Sequence, residues 1–299
     1  MRIVFLGTPE WSVQPLQALV AAGHEIVLVV TQPDKKRGRG SALSPSPVKV
    51  AAQELFLPVS HRVKDILSTD AELGVVVAFG RLLKPEILDH LTFLNLHPSL
   101  LPRWRGATPI ESALLAGDQR TGVCVMKLEQ EMDAGPIYAK VETPIGDHET
   151  SAELGKRLFA LGTDLLIEQL SNGIEGLPEP VAQEGEPTLA NKLGPDDFHI
   201  DWNKSASYLS RLMRIGRTWT TFRDKRFLIL EAEVVDNASV GVYSNDPNEV
   251  EQPGALHGVL LNTGDGYLRL IQVQPEGKKS QAAQDWARGA QLKPGDHFV

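Results

Sequence analysis

The sequence predicts a doubly wound α/β domain followed by a smaller all-β domain. Three observations predict it. Apolar, strand-like runs alternate with segments of helical period from Arg2 to Leu170, the pattern of parallel strands joined by crossover helices. From about Asn172 the texture changes: Gly173, Gly176, Pro178, Pro180, Gly185, Pro187, Gly194 and Pro195 punctuate a stretch with little periodicity, which reads as a linker. Short strand-like runs separated by turns then follow, at the spacing of a small barrel or sandwich. A chain of 299 residues has room for both domains. The first is placed at 1–176, the linker at 177–203 and the second domain at 204–299.

The elements follow in order. Arg2 to Leu6 is β-branched and aromatic, hence a strand, and Gly7 ends it. Thr8-Pro9-Glu10 carries a hydroxyl, a proline and an acid, the signature of a helix start. The helix continues through Val13, Leu16, Leu19 and Val20 and is capped by Gly23. Ile26 to Val30 is a continuous apolar strand of the kind buried on both faces. Gly7 is followed by Thr8 and Pro9, so the glycine fingerprint of a dinucleotide site is missing. Val48 to Phe56 reads as a helix, and Gly74 to Phe79 as a second buried strand. Pro85 to His90 is a short helix leading into a strand that ends at Asn95 and His97. Thr108-Pro109-Ile110-Glu111 repeats the helix-start signature. Val123 to Leu128 and Ile137 to Val141 are strands flanking a turn with Asp133 at its centre, and Ser151 to Gln169 is a long amphipathic helix. Beyond Ser205 one helix precedes four strands, at Thr218–Phe222, Arg226–Val235, Gly258–Asn262 and Tyr267–Val273.

Composition is ordinary for a soluble globular protein, 42 % apolar and 23 % charged. No apolar run approaches the roughly 20 residues that span a membrane, and the start is too short and strand-like for a signal peptide. The single cysteine, Cys124, cannot form an internal disulfide, so a reducing cytoplasm is expected. Its alternating apolar neighbours mark it as a core residue rather than a nucleophile. A net charge of −8 argues against a protein that coats nucleic acid. Two clusters run against it. Residues 34–49 sum to +4 (Lys35, Lys36, Arg37, Arg39 and Lys49 against Asp34), and residues 204–226 sum to +6. The first lies in a long loop, Thr31 to Pro47, that is rich in Gly, Ser and Pro. Each cluster alone reads as a solvated face; together they point to a polyanionic partner.

The chemistry concentrates at Asn95-Leu96-His97-Pro98-Ser99, at a strand's carboxyl end, where open α/β sheets bind ligands. Histidine titrates near working pH and suits acid/base work. Asn95, two residues earlier, faces the same side of an extended strand. Its amide can donate to an oxygen that gains charge during acyl transfer. Asp133 has little structural reason to sit among apolar neighbours and is the candidate charge partner for the imidazole. No Gly-x-Ser-x-Gly elbow supports a serine hydrolase, and the eight histidines show no metal-ligand spacing. An amide, an imidazole and a carboxylate without a protein nucleophile suit direct transfer of an acyl group to an amine.

The run Asn95 to Pro102, followed by Arg105-Gly106 and the turn Asp133-Ala134-Gly135, resembles the signature of the folate-dependent formyltransferases. Phe5 to Glu10, Thr31 to Asp34, Gly38 to Gly40, Ser44 to Lys49 and Gln274 to Lys279 extend the likeness along nearly the whole chain. Met213 to Thr220 is shorter than its counterpart in the family, and Arg37 replaces a small residue. The resemblance implies a Rossmann-like catalytic domain and an OB-like barrel after it. It implies 10-formyltetrahydrofolate as donor, beside Ser99, Leu100, Leu101 and Pro102 and in a cleft near Val77, Phe79, Gly80 and Leu82, with no metal. Asn95 and His97 are implied to stabilise the oxyanion, and Asp133 to orient His97 and help move the proton. The basic loop and second domain single out the members whose acceptor is the methionine amine of initiator tRNA, in translation initiation. Lys35, Lys36, Arg37, Arg39 and Lys49 would then contact tRNA, and the enzyme would be a cytoplasmic monomer. Two alternatives stay open: a formyltransferase acting on an amino sugar nucleotide, and an RNA-binding protein with a degenerate enzyme domain.

Overall fold

A computed structural model describes residues 1–36, 43–236, 252–293 and 295–299. They form two compact units. The first comprises Met1–Ala113, Gln119–Ile145 and Glu153–Lys192; the second comprises Leu114–Asp118, Gly146–Ala152 and Leu193–Val299. The stretch expected as a linker, 177–203, is therefore divided between the two. Among the described residues no helix is long and apolar enough to cross a membrane.

The first unit is built on a seven-stranded sheet. Its elements are β1 (Arg2–Gly7), α1 (Val13–Ala21), β2 (Glu25–Val30), the short pair β3 (Lys35–Lys36) and β4 (Leu43–Ser44), α2 (Pro47–Glu54), β5 (Val59–Ser60) and β6 (Leu73–Val77). Then come α3 (Pro85–Leu88), β7 (Phe93–His97), β8 (Arg105–Gly106), α4 (Pro109–Ala116), β9 (Arg120–Lys127), β10 (Ile137–Pro144), α5 (Ser151–Leu170) and β11 (Leu189–Ala190). The sheet order is β10-β9-β7-β6-β1-β2-β5. Strands β5, β2, β1, β6 and β7 are parallel. Successive strands leave β1 first toward β5 and then, from β6, in the other direction. The strand order thus reverses between β1 and β6, and a crevice opens there beyond the carboxyl ends of the strands.

The sheet differs from the parallel one expected, because β9 runs antiparallel to both of its neighbours, β7 and β10. The connection from β9 to β10 is the turn around Asp133. A connection that short can only reverse the chain, since a parallel crossover needs a dozen or more residues. A second difference lies at Thr8. A 3₁₀ turn at Glu10–Ser12 precedes α1, and Thr8 does not cap the helix. Its hydroxyl donates instead to the Phe79 carbonyl at 3.2 Å. Ser46 behaves as an N-cap should: its Oγ accepts the Lys49 N–H at 3.0 Å.

The second unit holds α6 (Ala206–Met213), β12 (Trp219–Phe222), β13 (Lys225–Val235), β14 (Leu256–His257), β15 (Leu260–Asn262), β16 (Tyr267–Pro275), β17 (Gln281–Ala282) and α7 (Ala283–Ala290). The antiparallel sheet runs β12-β13-β16-β15-β14, with β17 on β16. The chain end completes it. Phe298 bridges Phe222 beside one edge, and His297 bridges Ala255 beside the other. Each bridge covers part of an edge that an open sheet would leave unpaired. Trp202, Phe222, Phe227, Trp286 and Phe298 pack together as the aromatic centre of this unit's core.

Gly74 in β6 marks where two neighbouring strands have no room to spare. A Cβ there would lie 2.0 Å from the ring of buried Phe93. Gly74→Ala is expected to lower stability by about 2 kcal/mol or more through overpacking. Denaturant unfolding checks this; an unchanged midpoint would contradict the packing.

Candidate active site

Asn95 and His97 stand near the carboxyl end of β7, both buried, with His97 only 4 % exposed. The chain after β7 folds back on itself. Ser99 Oγ donates to the Arg103 carbonyl at 2.6 Å, and Trp104 adopts a φ of +63°. That backbone conformation is uncommon for a bulky residue. It aims the Trp104 carbonyl at Nε2 of His97, 2.9 Å away. A carbonyl can only accept, so Nε2 carries the hydrogen, and in the neutral ring Nδ1 keeps the lone pair.

Nδ1 faces Oδ2 of Asp133 at 3.6 Å. This is too long for a hydrogen bond but close enough to favour the imidazolium once a proton arrives. The same Oδ2 accepts the Gly106 N–H at 2.9 Å, which fixes the carboxylate. Asp133 itself sits at φ +50°. Burial pushes the pKa of His97 below its ordinary value; Asp133 and the Trp104 carbonyl pull the other way and are outweighed. His97 is thus a neutral base at neutral pH, with its charged form held in reserve by Asp133. The resemblance implied that Asp133 orients the ring. In the structure the Trp104 carbonyl supplies the orienting hydrogen bond, and Asp133 supplies charge.

A cavity of about 520 Å³ opens at this point, a size ordinary for small-molecule sites. Asn95, His97 and Asp133 line it together with Phe79, Gly80 and Leu82. Phe79 is held in the wall because its carbonyl accepts from Thr8 Oγ1 and from Gln32 Nε2, the latter at 2.9 Å. Other expected wall residues lie elsewhere. Val77 is fully buried inside β6, its carbonyl accepting from Ser12 Oγ. Ser99, Leu100, Leu101 and Pro102 do not line the cavity. Ser99 is fully buried in its own turn, and Leu101 packs with Cys124 and Met126. The reason is the back-folding after β7, which turns this run toward β9. The wall is made instead by Trp11, Pro98, Ile110, Met132 and Phe159, residues without a polar signature to find them by. Among the described residues no group of three or more potential ligands could hold a metal.

The basic clusters are used differently from one another. Lys35 and Lys36 are exposed on β3. Lys49 is ion-paired with Asp34 at 2.8 Å, so much of its charge is already answered. Arg37 and Arg39 lie outside the described residues. In the second unit, Arg211 Nε donates to the Leu115 carbonyl, Arg214 to the Glu149 and Gly146 carbonyls, and Arg223 pairs with Asp296. Those arginines hold the unit together. Arg226, exposed over the Trp219 ring at 4.4 Å, remains on the surface.

Residues 1–170 match the family described as Formyl transferase, and residues 192–291 match its C-terminal domain. A protein of Roseobacter denitrificans named methionyl-tRNA formyltransferase is 40 % identical, with 100 % of this chain and 99 % of that protein covered. One of the same name from Thermus thermophilus is also 40 % identical, covering 99 % and 98 %. In three dimensions the chain is similar to an N-formyltransferase of Helicobacter canadensis solved with folinic acid and dTDP-3-aminofucose. There the TM-score is 0.65 at 14 % identity, over 91 % of this chain and 99 % of that one.

Buried, neutral His97 makes stability depend on pH. Its folded pKa lies below 6.5, so the unfolded chain binds the proton more readily. The contribution is present above 6.5 and is lost as the pH falls through the folded value. Unfolding free energy measured at a series of pH values should therefore fall more steeply on acidification in the native chain than in His97→Gln. Parallel curves would contradict the burial of a neutral ring.

Proposed function

This chain belongs to the formyl transferase family in both of its domains, and we propose that it moves the formyl group of 10-formyltetrahydrofolate onto the α-amine of methionine on initiator tRNA. The observation that carries the reading is the opening of Asn95, His97 and Asp133 into one cavity, in a chain similar over its full length to relatives of that name. The donor, when bound, supplies a formyl carbon activated on N10 of the folate. Phe79, Gly80 and Leu82 form part of the wall that receives it.

In this mechanism the attacking amine bonds directly to the formyl carbon and no protein nucleophile intervenes. The Asn95 amide donates to the carbonyl oxygen as it becomes an oxyanion. Nδ1 of His97 takes the proton released by the amine, and Asp133 stabilises the imidazolium so formed. That N–H can then donate to the oxyanion or return the proton to N10 as the C–N10 bond breaks. The tRNA is approached through Lys35, Lys36, Arg37 and Arg39, with Lys49 bracing the base of the loop through Asp34. The enzyme works in the cytoplasm as a monomer.

Incubation with 10-formyltetrahydrofolate and either methionyl-tRNA or a free amino sugar nucleotide identifies the acceptor by its formylated product; formylation of the sugar alone would overturn the tRNA reading. His97→Ala and Asp133→Asn are expected to lower kcat by about 10²–10⁴-fold. Ser99→Ala should leave kcat within a few-fold, because its hydroxyl is committed to the Arg103 carbonyl. A wild-type rate in either of the first two variants would refute the site. Arg37→Ala with Arg39→Ala should weaken tRNA use and lower its salt dependence by about one unit of slope for each phosphate no longer neutralised. Identical salt curves would remove the loop from tRNA binding.

A further inference from the structure

Residues 177–192 have the composition of a linker, yet they belong to the first unit. They form a strap between β10 and β8. Val181 and Ile137 exchange two backbone hydrogen bonds, each 2.8 Å. Further on, the Trp104 N–H donates to Thr188 Oγ1 at 2.9 Å, the Arg105 N–H donates to the Thr188 carbonyl at 2.9 Å, and β11 pairs with β8. The strap is thus tied at one end to the strand after the Asp133 turn, and at the other to the segment that presents the Trp104 carbonyl and the Gly106 N–H.

Gln183 lies between these ties. Its Nε2 donates to the carbonyls of Asp133 and Gly135, both at 2.8 Å. Its Oε1 accepts from Nε and Nη2 of Arg105, at 3.0 and 2.8 Å. Both ends of one amide are therefore committed, one to the turn and one to the residue before Gly106. Arg105 also reaches the turn directly, through Nη1 and Glu131 Oε1 at 3.2 Å, but that pair is exposed. Asp133 holds a φ of +50°, an uncommon conformation outside glycine, and the turn's own bond from Ala134 N–H to the Glu131 carbonyl is long at 3.4 Å. Gly135 is pressed against the neighbouring strand, where a Cβ would lie 2.0 Å from the Lys127 carbonyl oxygen, and has no room to compensate.

We propose that Gln183 is a positioning residue for formyl transfer: it locks the Asp133 turn to Arg105 and so keeps the carboxylate beside Nδ1 of His97. This rests on the formyl-transfer reading of the site, in which Asp133 stabilises the imidazolium. Gln183 touches no substrate in that scheme and acts through Asp133. It also gives the strap a function, namely to couple the two segments that address the two nitrogens of one ring.

The test compares Gln183→Ala and the near-isosteric Gln183→Met with the native chain by two measurements. The first is an NMR titration of the His97 imidazole in the free protein. Asp133 raises the His97 pKa and burial lowers it; a displaced carboxylate weakens only the first, so the pKa should fall further. Arg81, Glu111 and Glu129, the other charged residues lining the cavity, are retained in both variants, as are Arg105, which loses only its bonds to Gln183, and its partner Glu131. The second is the kcat and KM split for formyl transfer. Here kcat is expected to fall about 10–100-fold with the donor's KM within about two-fold, and the acidic limb of the kcat profile should move to lower pH. A purely structural role would lower the melting temperature and the active fraction without moving either the titration or the limb, and that result would overturn the proposal, as would native values throughout. If the native chain transfers no formyl group while the His97 titration shifts as stated, the functional reading falls and the positioning role stands.

Discussion

An imidazole buried at the end of a central strand is costly to charge, and its two nitrogens must each be given a partner. At His97 the partners come from opposite directions: a backbone carbonyl at Nε2 and a carboxylate near Nδ1. The carbonyl fixes which nitrogen keeps its lone pair, and the carboxylate offsets part of the desolvation when that lone pair takes a proton. Much of the neighbouring backbone serves this one requirement. Trp104 and Asp133 both adopt positive φ to bring their groups into place, and each such residue costs on the order of 1 kcal/mol or more. The surrounding hydrogen bonds of Ser99, Thr188 and Gln183 oppose relaxation of that strain.

The site's location follows from the sheet. The strand order reverses between β1 and β6, and the loops leaving β1, β6 and β7 diverge there. The cavity fills the space between them, lined by Trp11, Phe79 and Pro98 from those three connections. The antiparallel β9–β10 hairpin then delivers Asp133 to the same place from the far side.

Charge is distributed by the same logic of local need. Along the chain, residues 204–226 form a cluster of +6. Folded, Arg211 and Arg214 satisfy carbonyl oxygens at the ends of short segments, and Arg223 is paired with Asp296. Guanidinium groups suit this work because they present several donors in a fixed plane. The cations left exposed, Arg226 over Trp219 among them, give a narrower basic surface than the sequence total implies.

Strands β2 and β6 were legible in the sequence, because residues buried on both faces of a sheet must be continuously apolar, and β1 was legible from its β-branched and aromatic content. So was the grouping of Asn95, His97 and Asp133 about one cavity, because Asn95 and His97 share one face of an extended strand and Asp133 sits at the centre of a turn between two apolar strands. The likeness to formyltransferases carried the rest of the functional reading. Which atoms address the imidazole was settled by the folded chain and by nothing earlier. Trp104 and Gly106 act through backbone groups that every residue possesses, so their side chains give no signal. Gln183 sits in a segment whose glycines and prolines look like a tether, and its role depends on partners far away in sequence, Arg105 and Asp133. The displacement of Ser99 to Pro102 from the cavity wall has the same origin: it depends on which way the chain turns after β7, and that is fixed by packing against β9 rather than by the residues of the run.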